Sequence, residues 1–260
     1  MYKRQVLTRA GYAIFGNDHL GHGDTSPGHY GFKAEKDGYR FVLEDLYTMN
    51  RLGCEKFSGI PCFLLGHSMG SFYGRWFAEK YPEAIDGLII SGPGGPSPVM
   101  PMGKALAALL CKVKGAKYVS KFMVDMSMGS YCKGIESDGS ENAWLSRDPR
   151  VWAKYAADEK CTFSFTVSAY RDMLTVYVHV SKKAWAQGLP KDMSIYVYSG
   201  DRDPVGAYGK GVIAVHKMLR EAGIQNLSMK LYPGGRHEMH NETNRDEVLA
   251  DLVSWLDGHI

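Results

Sequence analysis

The sequence predicts an α/β fold, a mainly parallel sheet with helices on both faces and a mostly helical cap inserted into it. Three observations predict it. Apolar runs of strand length alternate with helical stretches over residues 11–92 and again over residues 193–256. Between them the alternation stops, and the runs that precede sharp turns end in Gly- and Asp-bearing segments. We therefore divide the chain into an α/β core, residues 1–95 and 190–260, and a cap or lid, residues 96–189.

The elements follow in order. Residues 11–16, Gly-Tyr-Ala-Ile-Phe-Gly, read as a strand leading into Asn17-Asp18-His19-Leu20-Gly21-His22-Gly23. Tyr39, Val42, Leu43, Leu46 and Met49 form an apolar stripe at three- and four-residue spacing, which predicts a helix over 39–51. The short run Cys62-Phe63-Leu64-Leu65 is a buried strand, followed by a helix over 71–80 that Tyr81-Pro82 closes. Residues 84–92 read as a further strand ending in Gly92-Pro93-Gly94-Gly95-Pro96. After the cap come a strand over 193–199, a helix over 209–222, a strand over 227–232 and a helix over 245–256.

Composition narrows the function classes. A chain of 260 residues, 45% hydrophobic and 23% charged, can bury one substantial core. The net charge of +3 is small, and its Lys and Arg are dispersed rather than interleaved with aromatics in a basic tract, which excludes a nucleic-acid partner. Cys54, Cys62, Cys111, Cys132 and Cys161 are odd in number and lack C-x-x-C spacing, so they read as reduced thiols of a cytoplasmic protein. The longest apolar run, residues 105–111, is far too short to span a membrane.

Gly66-His67-Ser68-Met69-Gly70 stands directly behind a buried strand and ahead of a helix. A serine on such a strand-to-helix turn has strained backbone angles, and the flanking glycines let strand and helix approach. A hydroxyl is a poor nucleophile at neutral pH and needs a base that is itself oriented by a third group. Two later strands end in candidates: Ser199-Gly200-Asp201-Arg202-Asp203-Pro204 and Pro233-Gly234-Gly235-Arg236-His237-Glu238. Imidazole suits the base and a carboxylate fixes its tautomer. Asp201 competes with Asp203, and His240 with His237. Asp18, His19 and His22 do not share a helix face as metal ligands would, and Glu242 reads as a helix-start residue.

In these segments the chain resembles an α/β-hydrolase of the monoacylglycerol lipase and lysophospholipase group. Asp18-His19-Leu20-Gly21-His22-Gly23, Gly66-His67-Ser68-Met69-Gly70, Gly200-Asp201-Arg202-Asp203 and His237-Glu238 match the family's segments in order, and the likeness is weakest in the cap. The resemblance implies Ser68 as nucleophile, Asp203 as the orienting acid, His237 as general base and the backbone N–H of Met69 as an oxyanion donor. It implies no metal and no organic cofactor, and a small-molecule acyl ester as substrate. His67, Met123 and Met126 are candidate substrate contacts, and the Met-rich cap could also touch a membrane or micelle surface.

The resemblance further implies a strand ahead of Gly11, placed between the Tyr12 strand and the elbow strand, whose His-Gly loop supplies a second oxyanion donor. No matching segment precedes Gly11, and Met1-Tyr2-Lys3-Arg4-Gln5 resembles a translated transposase end used in sequencing libraries. We therefore expect an N-terminally truncated chain of lowered stability and activity. Two other functions share these features: an iminopeptidase-like amide hydrolase, and an inactive fragment or non-catalytic binding protein. The serine at the elbow argues against dehalogenases and epoxide hydrolases, which carry an aspartate there.

Overall fold

The computed structural model describes residues 2–137 and 139–260, apart from the side chain of Tyr2. Met1, the first of the five residues with the transposase-like sequence, and Asp138 within the cap range lie outside them. Helices α1 (Tyr2–Arg9) and α2 (Gly38–Lys56) precede strand β1 (Phe63–His67), which enters helix α3 (Met69–Lys80) through Ser68. Strand β2 (Gly87–Ser91) follows. Helices α4 (Met100–Lys114), α5 (Lys121–Met128), α6 (Pro149–Ala156), α7 (Glu159–Thr162), α8 (Val167–Val180) and α9 (Lys183–Gln187) then fill the stretch expected to be irregular and helical. Strand β3 (Ser194–Gly200), helix α10 (Lys210–Glu221), strand β4 (Leu227–Tyr232) and helix α11 (Arg245–Asp257) complete the chain.

The four strands are parallel in the order β1-β2-β3-β4, with Leu65 opposite Ile89, Ile89 opposite Tyr196 and Val197 opposite Met229. Successive side chains in a strand face opposite sides, and the core divides accordingly. Leu88, Ile90, Ile195 and Val197 join the larger cluster with α2, α3, α8 and α10, whereas Ile89, Tyr196 and Tyr198 meet α11 and Leu7 of α1 on the other face. Every residue of β2 and β3 is buried, as expected of central strands covered on both faces.

The structure corrects the N-terminal reading. Residues 11–16 form no strand, because no strand stands beside them to share hydrogen bonds. Phe15 instead packs onto α2, where a methyl group on Gly53 would fall 1.8 Å from the ring. A cavity of about 300 Å³ separates this segment from the outer edge of β1, lined by Ile14, Leu46, Phe63, Leu65 and Leu252 among others. Residues 2–9, the first four of them in the stretch of foreign appearance, are helical, and Leu7 is buried against α11.

Candidate active site

Ser68 occupies the turn between β1 and α3 with φ 54° and ψ −121°, a left-handed conformation that is costly for a residue with a Cβ. Hydrogen bonds on both sides hold it there. Its N–H donates to the Ser91 carbonyl at 3.0 Å, and its own carbonyl accepts from the Ser71 N–H at 2.9 Å and the Ser71 hydroxyl at 2.6 Å. Gly66 is sterically required, because a Cβ there would lie 2.3 Å from the Gly70 carbonyl oxygen. Gly70 is not, as a Cβ there would meet nothing within 4 Å. Of the two flanking glycines, only Gly66 is needed for the approach of strand and helix. Met69 opens α3, where the leading N–H groups have no partner inside the helix and carry the positive end of its dipole.

Asp203 and His237, from the loops after β3 and β4, meet at the same end of the sheet. His237 Nδ1 lies 3.0 Å from Asp203 Oδ2, and both residues are almost fully buried. The same oxygen accepts from the Ser199 hydroxyl at 2.7 Å, and Oδ1 accepts from the Val205 N–H at 2.9 Å. Burial by itself raises the Asp203 carboxyl. The charge and hydrogen bond of His237, with those from Ser199 and Val205, outweigh burial and hold the carboxyl below its usual range. Asp203 is thereby kept ionised. Asp201 does a different task, accepting the Gly234 N–H at 2.7 Å and so tying one loop to the other.

His237 Nε2 is buried without a hydrogen-bond partner among the described residues, and Ser68 Oγ makes no hydrogen bond to it. Their neighbourhood is nonetheless fixed by the strand between them. Ser68 bonds to Ser91, and a Cβ on the next residue, Gly92, would lie 3.0 Å from His237 Cε1 and 3.2 Å from His67 Cε1. His67 packs against His237 with ring centroids 4.7 Å apart, and its Nδ1 lies 3.1 Å from Ser91 Oγ. Burial first, and then the neighbouring His237, His240 and Lys3, keep the His67 imidazole neutral. His240 faces the other way, its Nε2 against the Tyr198 hydroxyl.

The stretch between α5 and α6 closes over the His237 loop. The Trp144 ring packs against His237 at a tilt of 39°, 5.1 Å between centroids, and the Trp144 and Leu145 carbonyls accept the His237 and Glu238 N–H groups at 3.3 and 2.7 Å. Glu242 is a buried clamp rather than a helix-start residue. It accepts from the Arg147 and Arg236 backbone N–H groups and from the Arg147 guanidinium at 2.9 Å. Trp144 and Glu242 escape sequence reading because each acts across the fold, Glu242 95 residues from Arg147, whereas Ser199 stands only four residues from Asp203 and escapes because a serine in a turn carries no distinguishing signal.

The remaining candidates scatter. Met123 is 1% exposed within the larger core cluster, whereas Met126 is 53% exposed. Asp18 shapes its own loop, accepting the Asp24 N–H at 2.8 Å and, through its carbonyl, the Thr25 hydroxyl at 2.7 Å.

A parallel sheet that presents a strained serine elbow and a buried Asp–His pair, with helices α4–α9 between its second and third strands, defines an α/β-hydrolase. The chain belongs to the family described as serine aminopeptidase, S33, whose model matches residues 4–244. It is 26% identical over 262 residues to a monoacylglycerol lipase of Mycolicibacterium smegmatis, covering 98% of this chain and 82% of that protein. A monoglyceride lipase of Saccharomyces cerevisiae is 29% identical over 263 residues, covering 97% of this chain and 78% of that protein. The crystal structure of a thermostable carboxyl esterase from Bacillus coagulans in complex with glycerol superposes with a TM-score of 0.92 at 30% identity, covering 99% of this chain and 84% of the esterase.

Proposed function

We propose that the protein hydrolyses carboxylic esters, of the monoacylglycerol or lysophospholipid type, through an acyl-enzyme on Ser68. The observation that carries this reading is the buried Asp203–His237 pair set against Gly92, one residue from the strand end that holds the Ser68 turn. His237 Nε2 takes the proton as Ser68 Oγ bonds to the ester carbon, while Asp203 keeps the proton on Nδ1 and steadies the imidazolium. The carbonyl oxygen becomes an oxyanion facing the Met69 N–H. Collapse breaks the ester C–O bond, and the alcohol leaves with the proton held on His237. Water then attacks the acyl-enzyme, giving its proton to His237, and Ser68 is restored with release of the acid.

Residues 96–189 act as the lid over this site. Their exposed apolar side chains, among them Met102, Leu109, Phe122 and Met126, stand beside the exposed Lys112, Lys114, Lys117 and Lys121, a surface suited to a micelle or membrane interface. No helix among the described residues is long and apolar enough to cross a membrane. The five free cysteines favour a cytoplasmic setting.

A fluorophosphonate probe tests the mechanism. Labelling of Ser68 that is lost in Ser68→Ala and slowed at least about a hundredfold in His237→Ala is expected. A folded sample that takes no label refutes the activated nucleophile and leaves the binding-protein reading. Faster turnover of amino-acid p-nitroanilides than of p-nitrophenyl esters of graded chain length sinks the ester reading in favour of amide hydrolysis.

A further inference from the structure

Among the described residues Lys33 is the one buried lysine; it lies behind the serine elbow, and nothing in the mechanism above uses it. It precedes α2, is 6% exposed, and has no carboxylate within ion-pair distance among the described residues. Its ammonium donates to the Tyr73 hydroxyl at 3.0 Å and stands 3.6 Å from Met69 Sδ. Both partners lie in the first turns of α3. The rings of Tyr73 and Phe165 flank the ammonium at 4.8 and 5.7 Å. Burying a cation with so little compensation is costly, and a fold that only needed to fill this space could do so with an apolar side chain.

We propose that Lys33 is a positioning residue for the oxyanion site: its ammonium braces Met69 and Tyr73 in the first turns of α3 and adds positive potential behind the Met69 N–H. The proposal rests on Ser68 being the nucleophile and the Met69 N–H an oxyanion donor. Negative charge that develops on the substrate oxygen beside the helix start is stabilised by any fixed positive charge behind it, most strongly where water is excluded.

The groups around Lys33 set when it is charged. Tyr73 faces it from α3, Phe165 precedes α8, Asp172 acts on it from α8 while itself paired with Arg171, and Asp18, His19 and His22 lie in the loop before it. Burial lowers the ammonium to about 8, and Asp172 only partly opposes the shift. The charge is therefore present at pH 7 and is lost as pH rises through about 8, so the oxyanion support fades on the alkaline side.

The test uses the full chain with p-nitrophenyl butyrate. Lys33→Met is expected to lower kcat about tenfold at pH 7 with KM within about twofold. It also removes the decline in kcat that the parent shows as pH rises through about 8. Lys33→Arg keeps its charge to far higher pH; it restores kcat at pH 7 and carries the plateau beyond about pH 9. Tyr73→Phe removes the hydroxyl that accepts from the ammonium and moves the decline to lower pH. Titration with the fluorophosphonate separates the two layers of inference. No labelling of the parent refutes the nucleophile. Full labelling with parental kcat and an unaltered alkaline limb in Lys33→Met overturns the role of Lys33. A raised KM at constant kcat overturns it as well, since Lys33 is then a substrate-binding group. If Lys33→Met does not fold, parental profiles in both Lys33→Arg and Tyr73→Phe overturn the proposal.

Discussion

At Gly66 a methyl group would press on the Gly70 carbonyl, whereas at Gly70 it would meet open space. Gly66→Ala is therefore expected to destabilise the fold by more than about 2 kcal/mol through overpacking at the strand–helix crossing. Gly70→Ala, inside α3, is expected to stabilise it by about 0.5–1 kcal/mol, since alanine restricts the unfolded chain and favours the helix. Urea unfolding of the two variants checks this contrast, and equal effects would show that the pair is a spacing motif with no steric asymmetry. The motif was legible at both positions; which glycine matters was not, because the contact depends on how closely β1 and α3 cross. The choice between Asp201 and Asp203 has the same character. Both sit in one turn, and only the placement of the His237 loop directs the first to the Gly234 N–H and the second to the imidazole.

Among the elements, strand 227–232 and the helix after it stand within a residue or so of where apolar periodicity and turn residues put them. Residues 11–16 fail for a reason periodicity cannot express: a strand is stable only beside another, and a cavity lies between this segment and β1. Helix α1 was missed because its sequence has little apolar patterning, and burial of Leu7 against α11 supplies what the local sequence lacks. On α4 and α5, Met123 is buried in the core, Met100, Leu106 and Leu110 are half-buried against it, and Met102, Leu109, Phe122 and Met126 are exposed. If the exposed side chains dock on lipid, the protein co-sediments with vesicles containing anionic phospholipid, and Leu109→Glu with Phe122→Glu weakens that binding without unfolding the protein. Equal sedimentation of parent and double variant would remove the α4–α5 surface from the account.

For the molecule as a whole, buried histidines dominate its response to acid. Burial, with nearby cations, lowers His19 to about 4 and His240 to about 3, and lowers His22 and His67 as well. A histidine whose folded value lies below its unfolded one binds its proton more readily in the unfolded chain. Stability from keeping these rings neutral is thus complete above about pH 6.5 and is lost as pH falls from there toward 4 and 3. Asp203, held low, adds to the loss further down, while Asp172, raised mainly by burial, works against it. The melting temperature is expected to fall steadily between about pH 6.5 and 4.5; a flat profile over that window would contradict the buried, neutral state of these rings.

By itself the sequence determined the α/β class, the place of the helical insertion and the identity of Ser68, Asp203 and His237 as candidates, because strand and helix periods and turn residues are local properties of the chain. The resemblance already favoured Asp203 over Asp201, and the structure shows that contact with His237; tertiary structure alone decided that Glu242 clamps the loop, that Gly66 and not Gly70 is sterically required, and that Lys33 lies behind Met69. Each of these is a contact between segments that come together only when the sheet and its helices pack.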